Sequence, residues 1–168
     1  MKKTTTNNNF VINGQYNDID SDNIADLGFV FGATSATFKN VNFLKFKDSA
    51  SGGAIDISGG EITIIGSKFQ NNNAITNGGA INITDGKLAI IDANFTGNSA
   101  GASGGAIYAD GTSKVLIKTQ NANAIFENNQ ANGTGNDIYA AGLAEIELNI
   151  ANNKTITMKG GIGANYKF

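Results

Sequence analysis

In the middle of the chain, apolar and polar residues alternate in runs of four or five, and the runs return at a fixed distance. "AIDI" puts Ile55 and Ile57 on one side and Asp56 on the other. "AINI" repeats this with Ile81, Ile83 and Asn82, and "AIYA" with Ile107, Ala109 and Tyr108. A second family of runs, "EITII", "KLAII" and "KVLI", pairs Ile62 with Ile64, Leu88 with Ile90 and Val115 with Ile117; Ile146 and Leu148 continue it. Alternation over such short stretches, bounded by Gly, Asn, Asp and Ser, predicts strands. No stretch of helical length carries a clear apolar stripe.

Three markers share one period of 26 residues. The first is Gly-Gly-Ala-Ile, at Gly52, Gly53, Ala54 and Ile55, at Gly78, Gly79, Ala80 and Ile81, and at Gly104, Gly105, Ala106 and Ile107. The second is the alternating run. The third is Phe-x-x-Asn, at Phe69 and Asn72, Phe95 and Asn98, Phe126 and Asn129. Phe43 lies in the same frame upstream, with Phe46 in the Asn place. Gly135 opens a degenerate copy, "GNDIYAA", that adds Ile138 and Tyr139. Five extra residues separate Gly104 from Phe126, within or near "KTQNAN". Counting back by 26 takes Ile55 and Ile57 to Phe29 and Phe31. It takes Ile62 and Ile64 to Ala36 and Phe38, and then to Phe10 and Ile12.

Self-similarity at this period, with strand-like runs only, predicts an all-β protein: a single-stranded parallel β-helix of roughly five to six coils. It forms one domain over residues 1–168, with irregular coils over 10–42, regular coils over 43–148 and a last coil or cap over 149–168. Coils stack at about 4.8 Å, which puts equivalent residues above one another. Ile55, Ile81, Ile107 and Ile138 form one internal column, and Phe43, Phe69, Phe95 and Phe126 another. The Gly pairs turn corners and let backbones approach. The Asn of each Phe-x-x-Asn can bond the Asn of the next coil as a ladder.

Composition adds exclusions. The chain has no Cys, His, Pro or Trp, all twelve basic residues are Lys, and the net charge is -2. No disulfide or thiolate zinc site is available, and nothing in the charge attracts nucleic acid or an anionic membrane. Absence of Cys fits an extracellular bacterial protein. The opening "MKKTTTNNNF" lacks the apolar run of a secretory signal, and no apolar window is long enough for a membrane helix, so direct membrane insertion of this segment is not expected.

Chemistry-bearing residues are few. Asp18, Asp20, Asp22 and Asp26 have the alternate spacing of a calcium loop, but Phe29 stands where such a loop needs a bidentate Glu, so calcium is a candidate with an incomplete ligand set and no other cofactor is expected. The acidic residues do not recur at one face as a hydrolase pair would require, so no catalytic activity is expected. Recognition is expected instead at Asp56, Asn82, Tyr108 and Tyr139, one per coil on a single outward face.

Gly-Gly-Ala-Ile interleaved with "FQNN", "FTGN" and "FENN" at one period resembles the repeats of chlamydial polymorphic outer membrane proteins. The likeness covers roughly residues 43–140. It implies a right-handed β-helical passenger of an autotransporter, exposed at the bacterial surface or outer membrane, or secreted. Such a passenger would adhere to a host-cell or extracellular protein or glycan. Two other readings stay open: a fibre or surface layer of like subunits paired end to end through open strand edges, and an enzyme acting on polysaccharide.

Overall fold

The computed structural model describes residues 10–13, 28–48 and 50–165. Among them there are nineteen strands and no helix. Every strand pairing is parallel, and the strands form three sheets of six, four and nine strands. The chain visits the sheets in turn. In one repeat it runs along the broad sheet as Ile55–Ile65, crosses the Phe-bearing sheet as Lys68–Gln70, then the narrow sheet as Asn73–Ala74. The next repeat lays Ile81–Ile91, Asn94–Thr96 and Ser99–Ala100 beside them.

Register carries the 26-residue period into space. Ile55 pairs with Ile81, Ile81 with Ile107, and Ile107 with Ile138. Phe43, Phe69, Phe95 and Phe126 also pair in sequence. Their rings stack nearly parallel at 4.5, 4.6 and 4.7 Å, which is the spacing of neighbouring strands. All eight side chains are fully buried in one core cluster that also takes residues from the second alternating run. Burying each is worth roughly 1.5–3 kcal/mol.

The two alternating markers do not form separate strands in the regular repeats. They fuse into 11-residue strands, Ile55–Ile65 and Ile81–Ile91, with a register irregularity at Ser58 and Asp85. Further on they separate into Ile107–Ala109 and Lys114–Lys118. The offset is 26 residues at Ala109–Ile83, 27 at Lys114–Lys87 and 31 at Ile125–Asn94. One of the five extra residues therefore lies in the turn after Ala109 and four between Lys118 and Ala124.

At the N-terminal side the count by 26 fails once. Phe29 and Phe31 pair with Ile55 and Ile57, and Ala36 and Phe38 with Ile62 and Ile64. Phe10–Asn13, however, pairs with Val41–Leu44 on the Phe-bearing sheet, Phe10 opposite Val41 and Ile12 opposite Phe43, not with Ala36 and Phe38. The offset there is 31, because the stretch holding the aspartates carries five residues more than the equivalent stretch of a regular repeat.

Sharp turns need residues that reach positive φ. Asn71 does so at 55° and Asp92 at 53°, as short polar side chains tolerate. At the Gly-Gly pairs the two residues divide the work. Gly78 takes φ 63°. Gly79 lies where its own repeat meets the next, and a Cβ there would overlap the carbonyl oxygens of Gly105 and Ser99. The Gly79→Ala variant should lose at least ~2 kcal/mol of stability by urea denaturation, because backbone must move. Gly32→Ala, where a Cβ meets nothing, should stay within ~0.5 kcal/mol. Equal losses would contradict this packing.

Candidate functional site

The strands that fill the core with Ile55, Ile81, Ile107 and Ile138 hold Asp56, Asn82, Tyr108 and Tyr139 on their opposite side, since successive side chains alternate. Register stacks these four in one column, Asp56 beside Asn82, Asn82 beside Tyr108 and Tyr108 beside Tyr139. Val30 precedes them, 63% exposed, and Gly163 follows. The column faces away from the core, yet it is not openly exposed. Asp56, Tyr108 and Tyr139 are half-buried and Asn82 is buried, at 5%.

The column covers itself through interactions between rungs. Asn82 Nδ2 donates to Asp56 Oδ1 at 2.6 Å. The Tyr108 and Tyr139 rings stack with centroids 5.8 Å apart and planes 14° from parallel. Beyond them, the Tyr139 ring occupies the space a side chain at position 163 would need. The Tyr108 hydroxyl donates to Asp110 Oδ2 at 3.1 Å, and Asp110 Oδ1 accepts the Gly111 N–H. Burial pushes the Tyr108 phenol up to about 12, helped by the Asp110 carboxylate and then by Tyr139. Asp110 joins the column only through this contact, and the sequence signal for it is its place two residues after Tyr108.

Three charged pairs lie between neighbouring repeats, the first two on the broad sheet and the third at the Phe-bearing sheet. Lys87 bonds Glu61, Lys114 bonds Glu145, and Lys159 bonds Glu127. The Lys87 hydrogen bond and charge hold Glu61 below the usual carboxylate range. Asp85 is lowered by the Thr112 hydroxyl, at 2.8 Å, and the Gly86 N–H. These groups lie at the surface, where such pairs contribute little to stability.

The remaining motif residues are interior. Ala54, Ala80 and Ala106 are fully buried beside the isoleucines. Asn72, Asn98 and Asn129 form a buried ladder. Asn72 Nδ2 donates to Asn98 Oδ1, and Asn98 Nδ2 to Asn129 Oδ1, both at 2.9 Å. Each Oδ1 also accepts a backbone N–H from the preceding rung, and each Nδ2 donates to a phenylalanine carbonyl of the preceding repeat. Asp137 ends the ladder: fully buried, it accepts Asn129 Nδ2 at 2.8 Å and the Gly160 N–H at 2.6 Å. It stands where the other copies carry Ala, and that departure in "GNDI" is the signal for it.

Asp18, Asp20, Asp22 and Asp26 lie outside the described residues. Among the described residues no three His, Cys, Asp or Glu side chains group as metal ligands. Comparison with known proteins finds no matching family model, curated protein or solved structure.

Because Tyr108 loses its proton less readily in the folded state, its contribution to stability is complete below pH 10 and is lost as pH rises toward about 12. Ultraviolet titration of the folded protein should show a tyrosine component near 12 that moves down in Asp110→Asn. An unchanged titration would remove Asp110 from the site.

Proposed function

We propose that this chain is a right-handed parallel β-helix, one coil per repeat and roughly five to six coils in all, and that it works as a non-catalytic binding segment. It resembles the passengers of polymorphic outer membrane proteins, displayed at or beyond the bacterial surface. Its partners are host-cell or extracellular proteins or glycans.

One observation supports this reading best. Two inward columns repeat the same residue: Ile55, Ile81, Ile107 and Ile138, and Phe43, Phe69, Phe95 and Phe126. The outward column between Val30 and Gly163 varies instead, from Asp56 to Asn82 to the tyrosine pair. A constant scaffold that holds a varied, rigid row of hydrogen-bonding and aromatic groups suits recognition, because little ordering entropy remains to be lost on binding. Tyrosines supply amphipathic contact area at low entropic cost.

A second reading rests on the C-terminal end. Leu143, Leu148, Ile150 and Ile162 are 45–76% exposed there, on or beside the strands Glu145–Asn149 and Ile162–Ala164. Strand edges that carry apolar side chains and have no partner among the described residues favour pairing with a like subunit. One experiment separates the readings. Cell and matrix adhesion is measured for the purified chain and for Tyr108→Ser/Tyr139→Ser, alongside negative-stain microscopy. Monomers that adhere, with adhesion reduced at least about tenfold in the variant, support the first reading. Undiminished adhesion with a folded variant counts against the column, and filaments favour assembly.

A further inference from the structure

The lengthened repeat does something that the strict repeats do not. Four of its extra residues fall within residues 119–123, at the corner where the chain passes from the broad sheet to the Phe-bearing sheet. This loop is fixed in place: Asp92 Oδ1 accepts the Gln120 N–H at 2.7 Å and Asp92 Oδ2 the Asn121 N–H at 2.9 Å. From the following strand side, Thr119 Oγ1 accepts the Ala151 N–H and Asn123 Oδ1 the Thr155 N–H. Insertions in repeat proteins gather on one face, often the binding face.

Beside this loop lies a cleft of about 540 Å³, within the size range of small-ligand sites. Four successive repeats line it: Lys39 and Asn40 from one, Ile65 to Lys68 from the next, Asp92 and Asn94 from the third, and Gln120 to Ala122 from the loop. Four rungs span about 14 Å along the stack, three spacings of 4.8 Å. That is long enough for a short oligosaccharide lying across them.

The lining chemistry is specific. Lys39 and Lys68 are exposed and belong to none of the three ion pairs among the described residues. Both oxygens of Asp92 are engaged by the loop's N–H groups, so the lining side chains carry two cations against one occupied carboxylate. Asn40, Gln120 and Asn121 are exposed, and each side-chain amide offers donors and an acceptor of the kind that sugar hydroxyls pair with. Ile65, Gly66 and Ala122 supply apolar surface for the C–H face of a ring.

We propose that this corner cleft binds an acidic saccharide, its carboxylate or sulfate between Lys39 and Lys68 and its hydroxyls on the loop amides. The site is distinct from the tyrosine column and does not depend on the adhesive reading of it. The loop is already held by Asp92, so binding needs no folding of the segment and loses little entropy.

Isothermal titration of the full chain with a heparin tetrasaccharide, a hyaluronan tetrasaccharide and maltotetraose tests this. At least one acidic probe should bind, and maltotetraose should bind at least about tenfold more weakly. Lys39→Ser/Lys68→Ser should weaken the acidic probe at least about tenfold and flatten its salt dependence. Gln120→Ala/Asn121→Ala should weaken it several-fold, and Lys47→Ser on the narrow sheet should leave it unchanged. Binding by heparin alone assigns the anion as sulfate; binding by both admits carboxylate. No binding by either acidic probe, equal binding of maltotetraose, or full affinity in Lys39→Ser/Lys68→Ser overturns the proposal. A tetraglutamate peptide that competes as well as the sugar overturns the saccharide assignment.

Discussion

The distance between neighbouring parallel backbones governs this molecule. Hydrogen bonds between successive repeats hold the strands about 4.8 Å apart, and every side chain in a column must fit against its neighbour at that separation. Flat phenylalanine rings do so when nearly parallel, at 4.5–4.7 Å. Asparagine does so because its amide has a donor on one side and an acceptor on the other, so Asn72, Asn98 and Asn129 bond in one direction along the stack. Glycine does so at the second position of each pair, where backbone meets backbone. An unsatisfied amide buried in such a ladder would cost roughly 1–3 kcal/mol, and Asp137 closes the ladder at a rung that carries an acceptor without a further donor.

The same spacing explains where variety is allowed. Inward positions are restricted to residues that stack on themselves or fill the shared core. Outward positions have only to match their two neighbours. Asn82 and Asp56 match through a hydrogen bond, Tyr108 and Tyr139 through ring stacking, and Glu61 and Lys87 through charge. Length changes where no strand pairs: in the turn after Ala109, at the corner holding residues 119–123, and, by count, between Asn13 and Phe29. The column and the corner cleft thus have a common origin: they lie where the stacking constraint is relaxed.

Whatever repeats was legible in the sequence. The isoleucine and phenylalanine columns show as positions 26 residues apart, and parallel β-structure follows from strand-like runs at that period. Features that occur once were not legible. Asp137 departs from Ala in a single copy, and its purpose appears only when Asn129 is seen to need an acceptor. Asn82 reads as an outward polar residue because alternation reports direction and not cover; its burial depends on Asp56 and Tyr108 in the adjoining repeats. The five-residue excess between Gly104 and Phe126 was countable, but its division into one and four was not. Phe10 and Ile12 were assigned to the wrong sheet because alternation looks alike on every sheet and counting cannot see extra residues in the stretch it crosses.

The central claim is that stability resides in columns with a 26-residue step, and removing one whole step tests it most directly. Deleting residues 78–103 joins Asn77 to Gly104 and leaves Ile55 to face Ile107 and Phe69 to face Phe126. Deleting only residues 78–90 removes half as much chain but leaves the columns out of step. Thermal melts followed by circular dichroism should show the longer deletion still β-rich and cooperative, and the shorter one unfolded or nearly so. The opposite ranking, with the shorter deletion the more stable, would contradict the account.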